Sequence, residues 1–444
     1  MMLFGNKSIT IFMSSTKKII LTILLLLPVS LAAQPSFSGF LELDKRFVTG
    51  GDSTYIDNFY NEFRLEVSSY IGSQLYLFSS IDVRFYDFPT TRTLNDLEER
   101  GDTFPVDYNL WEAYLDVYGF LFDKLDLRIG KQRINWGTAD ELNPTDNLNP
   151  NDFSNLIEFT DKLPSWAFKG TWYFGDSQLT GIWLPSLSPV LLPREGASLF
   201  LGQEMAGLPN RLRLPDQTPV NSMVAVKFSG LLLEKWDYSL SYFSGYDDFP
   251  ILSRMELNPN TTRPQSFDMA FPRMQVFGAD LAGELSGIGL WAEAALVLPE
   301  KITATTVIGN ASTTATVLDD QAYVKFTAGG DYTFPGGWYV NGQWVHGFDT
   351  ERGSGQLNDY LFVRLEQTFW RDDLKAEAGA ALEIAGWGRF SDRYGYGLFP
   401  AITYQAIDNL EVKTGAFLIY GKPSTMFGSW KTLDQVFVRF RVDF

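Results

Sequence analysis

The segment 434–444, DQVFVRFRVDF, alternates between apolar and polar side chains almost without interruption. One parity is entirely apolar: Val436, Val438, Phe440, Val442 and Phe444. The other parity is polar except for Phe437: Gln435, Arg439, Arg441 and Asp443. Because successive side chains of a strand point to opposite faces, the segment predicts a β-strand with one apolar and one charged face.

This strand stands at the end of the sequence, and its last residue is Phe444. A final alternating strand that ends in an aromatic residue resembles the signal that the outer-membrane assembly machinery of Gram-negative bacteria recognises. The resemblance implies that Phe444 acts as an assembly signal and that this machinery is a partner.

Residues 1–33 have the three parts of a secretory signal peptide. Lys17 and Lys18 precede an apolar run at 19–27, and small residues follow at 30–33. The run is shorter than the roughly 20 apolar residues that a spanning helix needs. We predict cleavage after Ala32 or Ala33, export to the Gram-negative outer membrane, and one membrane domain at 34–444. The sequence holds no cysteine, which excludes a lipoprotein anchor, a disulfide framework and thiolate metal sites.

The same alternation recurs along the chain in runs of mostly 11 to 14 residues, for example at 59–71 and 75–85. These runs are longer than usual globular strands and suit tilted strands that cross a bilayer. Tight turns and long polar segments separate them alternately; three of the long segments lie at 185–219, 246–271 and 299–318. This pattern predicts an all-β fold, a transmembrane antiparallel up-and-down barrel. We count about 18 strands, with 16 or 14 as alternatives; the runs near 177–185 and 220–230 are the weakest.

Tryptophans lie near the predicted strand ends, where interfacial girdles of barrels are found. They are Trp136, Trp166, Trp183, Trp236, Trp338, Trp370 and Trp387. The alternation alone does not decide which face of each strand is lumenal.

If the charged face points inward, acids and bases line the lumen in nearly equal numbers. The candidate pore-lining residues on strands are Arg64, Arg84, Glu112, Asp116, Asp126, Arg128, Arg364, Glu366, Glu377, Arg439 and Arg441. Such charges either set the selectivity of a water-filled pore or merely brace its wall, because isolated pairs contribute little stability.

The long segment 136–163 contains two Asn-Pro-x-Asp units, at 143–146 and 149–152. Asn-Pro favours turns, and an Asp after it can accept backbone hydrogen bonds, so this loop is expected to be ordered. One hypothesis is that the loop folds into the lumen and narrows it, with Arg128, Arg133, Asp140, Asp146 and Asp152 near the narrowest point. The alternative is a pair of stacked turns that cap the barrel from outside. A calcium site built from these oxygens is conceivable, but the spacing is not that of an EF-hand, and we predict no metal site.

The formal net charge is −17, and a balanced lumen would place most of the acid excess in the loops. Two interpretations remain open. Divalent cations could bridge an acidic outer surface to lipopolysaccharide, or the loops could form a funnel that favours cationic solutes.

Several short motifs around the fifth predicted strand carry a family resemblance. They are Gly130-Lys131-Gln132-Arg133, Trp136-Gly137, Asn143-Pro144-x-Asp146 and Leu148-Asn149-Pro150-x-Asp152-Phe153. They resemble a motif of poorly characterised Gram-negative porin-like barrels, which are distantly similar to alginate-export porins. The resemblance implies a barrel and passive transport. An alginate exporter would need a basic lumen, and this lumen is not clearly basic.

The only histidine, His346, shares its parity with Trp338, Val340 and Trp344, which predicts a place on the apolar outer face. No phosphate-binding or dinucleotide-binding fingerprint is present. We therefore predict a porin-like channel for small hydrophilic solutes or an oligomeric export substrate, with no enzymatic activity, cofactor or nucleic-acid partner, in contact with outer-membrane lipid and lipopolysaccharide. The alternatives are an enzyme that uses His346, a structural or adhesive barrel with a closed lumen, and a transporter of hydrophobic compounds. The last would carry an N-terminal plug, whereas strand patterning begins here by Phe37.

Overall fold

The computed structural model describes residues 34–444 except 51–53, 58–59, 87–90, 92–93, 99, 141, 194–203 and 206. The predicted signal peptide at 1–33 lies outside the described residues. The described residues contain an 18-stranded antiparallel barrel. Its strands are β1 (Ser36–Val48), β2 (Asn61–Ile71), β3 (Leu75–Phe85), β4 (Val106–Val117), β5 (Leu125–Gln132), β6 (Ser165–Phe174), β7 (Ser177–Leu184), β8 (Met223–Leu232), β9 (Trp236–Tyr246), β10 (Arg273–Leu285), β11 (Ile288–Pro299), β12 (Tyr323–Thr333), β13 (Tyr339–His346), β14 (Asp359–Phe369), β15 (Leu374–Ile384), β16 (Tyr394–Ile407), β17 (Leu410–Gly421) and β18 (Gln435–Asp443).

The barrel is closed because its first and last strands pair. β1 and β18 run antiparallel from the pair Phe40 and Asp443 to the pair Val48 and Gln435. Beyond this register, the Gly39 N–H donates to the Phe444 carbonyl at 3.1 Å, and the Phe444 N–H donates back at 3.0 Å. Every other barrel strand pairs with its neighbours in sequence. The predicted up-and-down topology and the count of 18 are confirmed, and the two weakest runs form β7 and β8.

The exposure of alternate side chains settles which face points outward. In β18, Val436, Phe440 and Val442 are each more than 40% exposed, whereas Phe437 and Arg439 are buried. The same division holds in β14, where Leu361, Val363 and Leu365 lie outside. An apolar exterior around a polar interior is the arrangement expected of a barrel in hydrocarbon. The strands range from 8 to 14 residues in length.

Three long loops contain regular structure that the sequence pattern did not reveal. The segments 185–219, 246–271 and 299–318, predicted as polar loops, contribute strands to a separate five-stranded sheet. In spatial order these strands are Ala311–Leu318, Ile302–Ile308, Ile251–Leu257, Pro264–Ala270 and Asn210–Arg213. The sheet includes parallel pairings between different loops. Local alternation cannot predict such pairings, because the partners come from distant segments. A further short strand, Tyr55–Asp57, pairs with the end of β1.

The helices are short and lie between strands. They are Asn95–Glu98, Arg100–Thr103, Leu156–Glu158, Pro219–Asn221, Trp387–Asp392 and Met426–Trp430. In the described part of the chain, no helix has the length and apolar character needed to cross a bilayer.

Most of the predicted girdle tryptophans lie on the outside. Trp166, Trp183, Trp338, Trp370 and Trp387 are exposed, and Trp236 is half-buried. The prediction for Trp136 is wrong. Its side chain is only 2% exposed, because the chain after β5 turns into the lumen instead of continuing along the wall.

A substitution at Gly39 tests the closing seam. A Cβ atom at this position would lie 2.1 Å from the Arg64 carbonyl oxygen and 2.9 Å from the Phe444 ring. We expect Gly39→Val to destabilise the barrel by more than about 3 kcal/mol, because backbone cannot yield as a side chain can. Urea unfolding of the refolded barrel, followed by its heat-modifiable gel mobility, measures the change.

The matched control is Gly181→Val, since Gly181 also lies in a strand and has open space around its Cβ position. Equal unfolding midpoints for the two variants would show that the seam is not constrained in this way.

Candidate functional site

The connection between β5 and β6, residues 133–164 and here called the lumen loop, lies inside the barrel. On one side Ile134, Trp136 and Leu148 pack against inward side chains of β6 to β12, including Ala167, Ile182, Leu184, Met223, Ala225, Phe243, Met274, Val276, Ala295, Val297 and Tyr323. On another side Leu142, Phe153 and Leu156 pack against Val345, Tyr360, Phe362, Ala381, Phe417 and Ile419 of β13 to β17. The loop therefore does not cap the barrel from outside.

The two Asn-Pro-x-Asp units form the predicted turns. An Asp146 carboxylate oxygen accepts from the Leu148 N–H at 3.3 Å, and Asp152 accepts from the Ser154 N–H at 2.9 Å. Asn149 joins the two ends of the loop, because its side chain accepts from the Ile134 N–H at 2.7 Å and donates to the Leu163 carbonyl at 2.9 Å. The expectation of an ordered loop is confirmed.

Glu293 of β11 anchors the first half of the loop. Its carboxylate accepts from the N–H groups of Thr138 at 2.9 Å, Ala139 at 3.2 Å and Thr145 at 2.8 Å. It also accepts from the Thr145 hydroxyl at 2.7 Å. The Glu293 side chain is almost fully buried. The four donors therefore supply the hydrogen bonds that water would give to an exposed carboxylate.

The opposite wall, formed by β1, β3 and β18, holds the second half of the loop through arginines. Arg46 donates to the Asn155 side chain at 2.9 Å, and Arg84 lies 3.9 Å from the Asp152 carboxylate. Arg439 forms an ion pair with Glu158 and a second with Asp44 at 3.0 Å. The loop is thus fixed to two facing sides of the barrel.

A polar cavity of about 490 Å³ remains between the lumen loop and strands β1, β2 and β18. Four arginines line it: Arg64, Arg133, Arg439 and Arg441. Six carboxylates line it as well: Glu42, Glu62, Glu66, Glu158, Asp161 and Asp443. We call this space the charged cavity. Its walls can replace the hydration of a small polar solute with charged hydrogen-bond partners.

The structure divides the predicted pore-lining residues into four groups. The first surrounds the charged cavity and its loop contacts: Arg64, Arg84, Arg133, Asp152, Arg439 and Arg441, with Glu112 accepting from the Arg133 N–H at 2.7 Å. The second is a lumenal row on β14 to β17, where Glu377 pairs with Lys413 at 3.1 Å and Arg364 lies 2.9 Å from Glu366 and 3.6 Å from Asp140.

The other two groups lie away from the charged cavity. Arg128 and Asp116 pair at 2.6 Å on β4 and β5, and Asp126 accepts from the N–H of Gly119 in the adjoining tight turn. Asp146 belongs to a buried ion cluster of the lumen loop. The structure therefore does not bring Arg128, Asp140 and Asp146 together with Arg133 and Asp152.

That ion cluster links the lumen loop to two other loops. Lys162 lies 3.4 Å from Asp349, and the Asn151 N–H donates to Asp248 at 2.7 Å. Arg352 donates to both oxygens of Asp247, at 2.5 Å each, and so joins the loop after β13 to the loop after β9. The sequence patterns did not predict this cluster. Its only signals are the Asp247-Asp248 doublet and the Asp349 and Arg352 spacing.

Burial changes the protonation of the cluster. It raises the pKa of Asp146 to about 6, although Lys162 acts in the opposite direction. Burial also raises the pKa of Asp248, and the negative charge of Asp247 adds to the effect. For Asp247 itself, burial is outweighed by Arg352, which holds the pKa of that carboxyl below its ordinary value. Among the described residues, no group of three or more His, Asp or Glu side chains is arranged to hold a metal ion.

His346 lies on the outer face at the end of β13, half-buried. Its Nδ1 atom is 2.9 Å from an Asp359 oxygen, and its ring stacks on Phe326. His346 and Ser354 both line a groove on the outer surface, but the Ser354 hydroxyl donates to the Gln321 side chain at 3.0 Å.

Solved barrel structures share this architecture. OccK8 (OprE) of Pseudomonas aeruginosa has a TM-score of 0.52 at 10% identity, covering 93% of this chain and 98% of that chain. OccK9 (OpdG) of the same organism has a TM-score of 0.50 at 11% identity with the same coverage. OccAB3 of Acinetobacter baumannii has a TM-score of 0.50 at 10% identity, covering 93% of this chain and 99% of that chain. At such low identity the similarity shows the fold alone.

Fold and lumen together define a closed antiparallel β-barrel of the porin type. Residues 51–387 match the family described as "Protein of unknown function (DUF1302)", and the chain belongs to that family. No curated protein matches the chain.

A Glu293→Gln variant tests the anchor of the lumen loop. The amide keeps the size of the side chain, but its NH2 group would face N–H groups of the loop, which are also donors. We therefore expect the free energy of loop docking to become less favourable by about 3 kcal/mol. Hydrogen exchange at Thr138, Ala139 and Thr145 should accelerate by about a hundredfold. Glu284→Gln, on the neighbouring strand β10 and exposed, is the control; unchanged exchange in Glu293→Gln would contradict the anchoring role.

Acidification should tighten the docked loop. Asp146 has a pKa of about 6 when docked, against 3.8 ordinarily, so docking weakens as pH rises between about 4 and 6 and strengthens as pH falls. Burial likewise raises the pKa of Asp161 to about 6. The charges facing Asp146 are Lys162, Glu293 and Asp349, and Asp247 titrates below this window.

We expect loop amides, corrected for intrinsic exchange rates, to exchange about tenfold more slowly at pH 5 than at pH 7.5. Asp146→Asn keeps the acceptor for the Leu148 N–H and should reduce this difference. Faster exchange at pH 5 would give the opposite sign and refute the coupling.

Proposed function

We propose that this chain is a passive outer-membrane channel for small hydrophilic solutes. The observation that carries the proposal is the position of the lumen loop, which fills the apolar part of the barrel interior and leaves the charged cavity open beside β1, β2 and β18. We place the constriction where loop residues Asp152 and Glu158 meet Arg84 and Arg439, because these ion pairs join the loop to the wall beside the cavity. No catalytic step belongs to this proposal.

The asymmetry of the interior supports this path. The wall of β6 to β12 presents apolar side chains to the loop and is covered by it. The wall of β1, β2 and β18 presents arginines and carboxylates to the cavity. A hydrophilic solute loses water when it enters a narrow passage, and the charged residues of β1, β2 and β18 offer compensating partners that the apolar wall does not.

The charge of the path favours cations moderately. Six carboxylates face four arginines in the charged cavity, and the whole chain carries −17. Several of these charges pair with each other, as Arg64 does with Glu62 at 2.8 Å, which reduces their field. We therefore propose a moderate cation preference rather than a strict filter.

Small solutes fit the geometry better than an oligomeric export substrate. The lumen loop is fixed on two facing sides, by Glu293 and by Arg439. An extended polymer would have to thread the remaining cavity or displace the loop. A polyanion would in addition meet more carboxylates than arginines there.

Planar-bilayer recording under a KCl gradient, with refolded protein that comprises residues 34–444, tests the proposal. We expect discrete conductance steps. The sign of the reversal potential should show that the channel conducts cations better than anions. Replacing residues 140–158 by a short Gly-Ser linker should raise the conductance at least about twofold, because the constriction is removed.

The control replaces residues 303–317, in the separate sheet, by the same linker, and it should leave the step size unchanged. Folded protein without conductance steps would refute the channel and leave the closed structural or adhesive barrel. An unchanged step size after removal of 140–158 would refute the constriction.

A further inference from the structure

A carboxylate stands on the outer face of the barrel, near the rim from which the long loops emerge. Asp359, the first residue of β14, has the parity of the exposed Leu361 and Val363. It accepts from the indole N–H of Trp344 at 3.0 Å and of Trp387 at 2.6 Å, and it faces His346 Nδ1 at 2.9 Å. Three aromatic rings thus surround this charge at the edge of the apolar belt.

The segment 386–393, which contains Trp387, lies against the outside of the barrel wall. The residues 386–393 are exposed throughout, including the rings of Trp387 and Phe390. Phe390 stacks on Tyr394 with ring centroids 5.5 Å apart. Exposed aromatic rings of this kind are stable where the membrane interface covers them.

The same segment carries positive charge in a chain that is otherwise strongly acidic. Arg389 and Arg393 are exposed on it, and the Lys422 ammonium lies 5.4 Å from the centre of the Tyr394 ring. Asp392 is the one acidic residue of the segment, against the overall charge of −17. Below these cations, toward the belt, Tyr396 and Tyr420 stand side by side with centroids 5.2 Å apart.

An apolar groove flanks the other side of the Asp359 cluster. It has a volume of about 380 Å³ and is lined mainly by Val324, Phe326, His346 and Leu357. Val324 and Phe326 belong to the outward face of β12, so the groove is continuous with the lipid-facing wall.

We propose that this surface, the rim patch of Arg389, Arg393, Lys422, Trp387 and the groove, binds a phosphate-bearing lipid of the outer leaflet. The cations hold the phosphate, and the acyl chains lie on the tyrosines and in the groove. Two arguments favour a lipid: the patch continues the membrane-facing belt, and its charge is opposite to that of a phosphorylated headgroup. The site is separate from the lumen and holds whether or not the barrel conducts.

Native mass spectrometry of the folded barrel in detergent, titrated with rough-type lipopolysaccharide, tests the proposal. Arg389→Ala/Arg393→Ala should weaken the first binding step by about tenfold or more. Arg211→Ala/Lys301→Ala removes the same charge from exposed positions on other long loops, and should change that step by less than about twofold. Heat-modifiable gel mobility verifies that both double variants are folded.

Two further arms identify the ligand. Dephosphorylated lipopolysaccharide should bind as weakly to the native chain as intact lipopolysaccharide does to Arg389→Ala/Arg393→Ala, and inorganic phosphate should not compete. Equal lipid binding by the native chain and the rim variant overturns the proposal. Competition by inorganic phosphate overturns the lipid as ligand, and a dimer lost specifically in the rim variant assigns the patch to a second copy of this chain.

Discussion

The pairing of β1 with β18 is the constraint on which the rest of the structure depends. In hydrocarbon no water can satisfy an open strand edge, so an alternating chain of this kind must close on itself. The seam ends at reciprocal hydrogen bonds between Gly39 and Phe444, and Phe444 stacks on Phe63 of β2 on the outer face. In the closed barrel, the apolar side chains of each strand face outward because they contact lipid. The alternate side chains therefore face the lumen.

A closed barrel of 18 strands encloses more space than its wall side chains fill. The lumen loop occupies that space unevenly. Its apolar side chains cover the apolar half of the wall, and its polar groups meet Glu293 on β11 and Arg46, Arg84 and Arg439 on β1, β3 and β18. The charged cavity is what remains, so the loop determines both where open lumenal space lies and which charges line it.

The sequence predicted those features that a single strand or turn encodes. The alternation in 434–444 was sufficient to predict a barrel strand, and the Asn-Pro-x-Asp units predicted the turns of the lumen loop. Features formed by segments that are far apart in the sequence could not be predicted from local patterns. Trp136 follows a strand as a girdle residue would, but the loop carries it inward. The cluster of Asp146, Lys162 and Arg352 joins three loops, and the weak local signals, such as the Asp247-Asp248 doublet, do not show that these loops meet.

The lumen loop rests docked inside the folded barrel. The chain has no cysteine, so Asp140→Cys/Asn341→Cys offers one thiol on the loop and one on β13, at side chains that hydrogen-bond at 2.8 Å. A short bifunctional thiol reagent should cross-link them in the folded barrel, and the single-channel conductance should stay the same after cross-linking. Failure to cross-link, or a large fall in conductance upon cross-linking, would show that the loop normally lies elsewhere and would contradict the account.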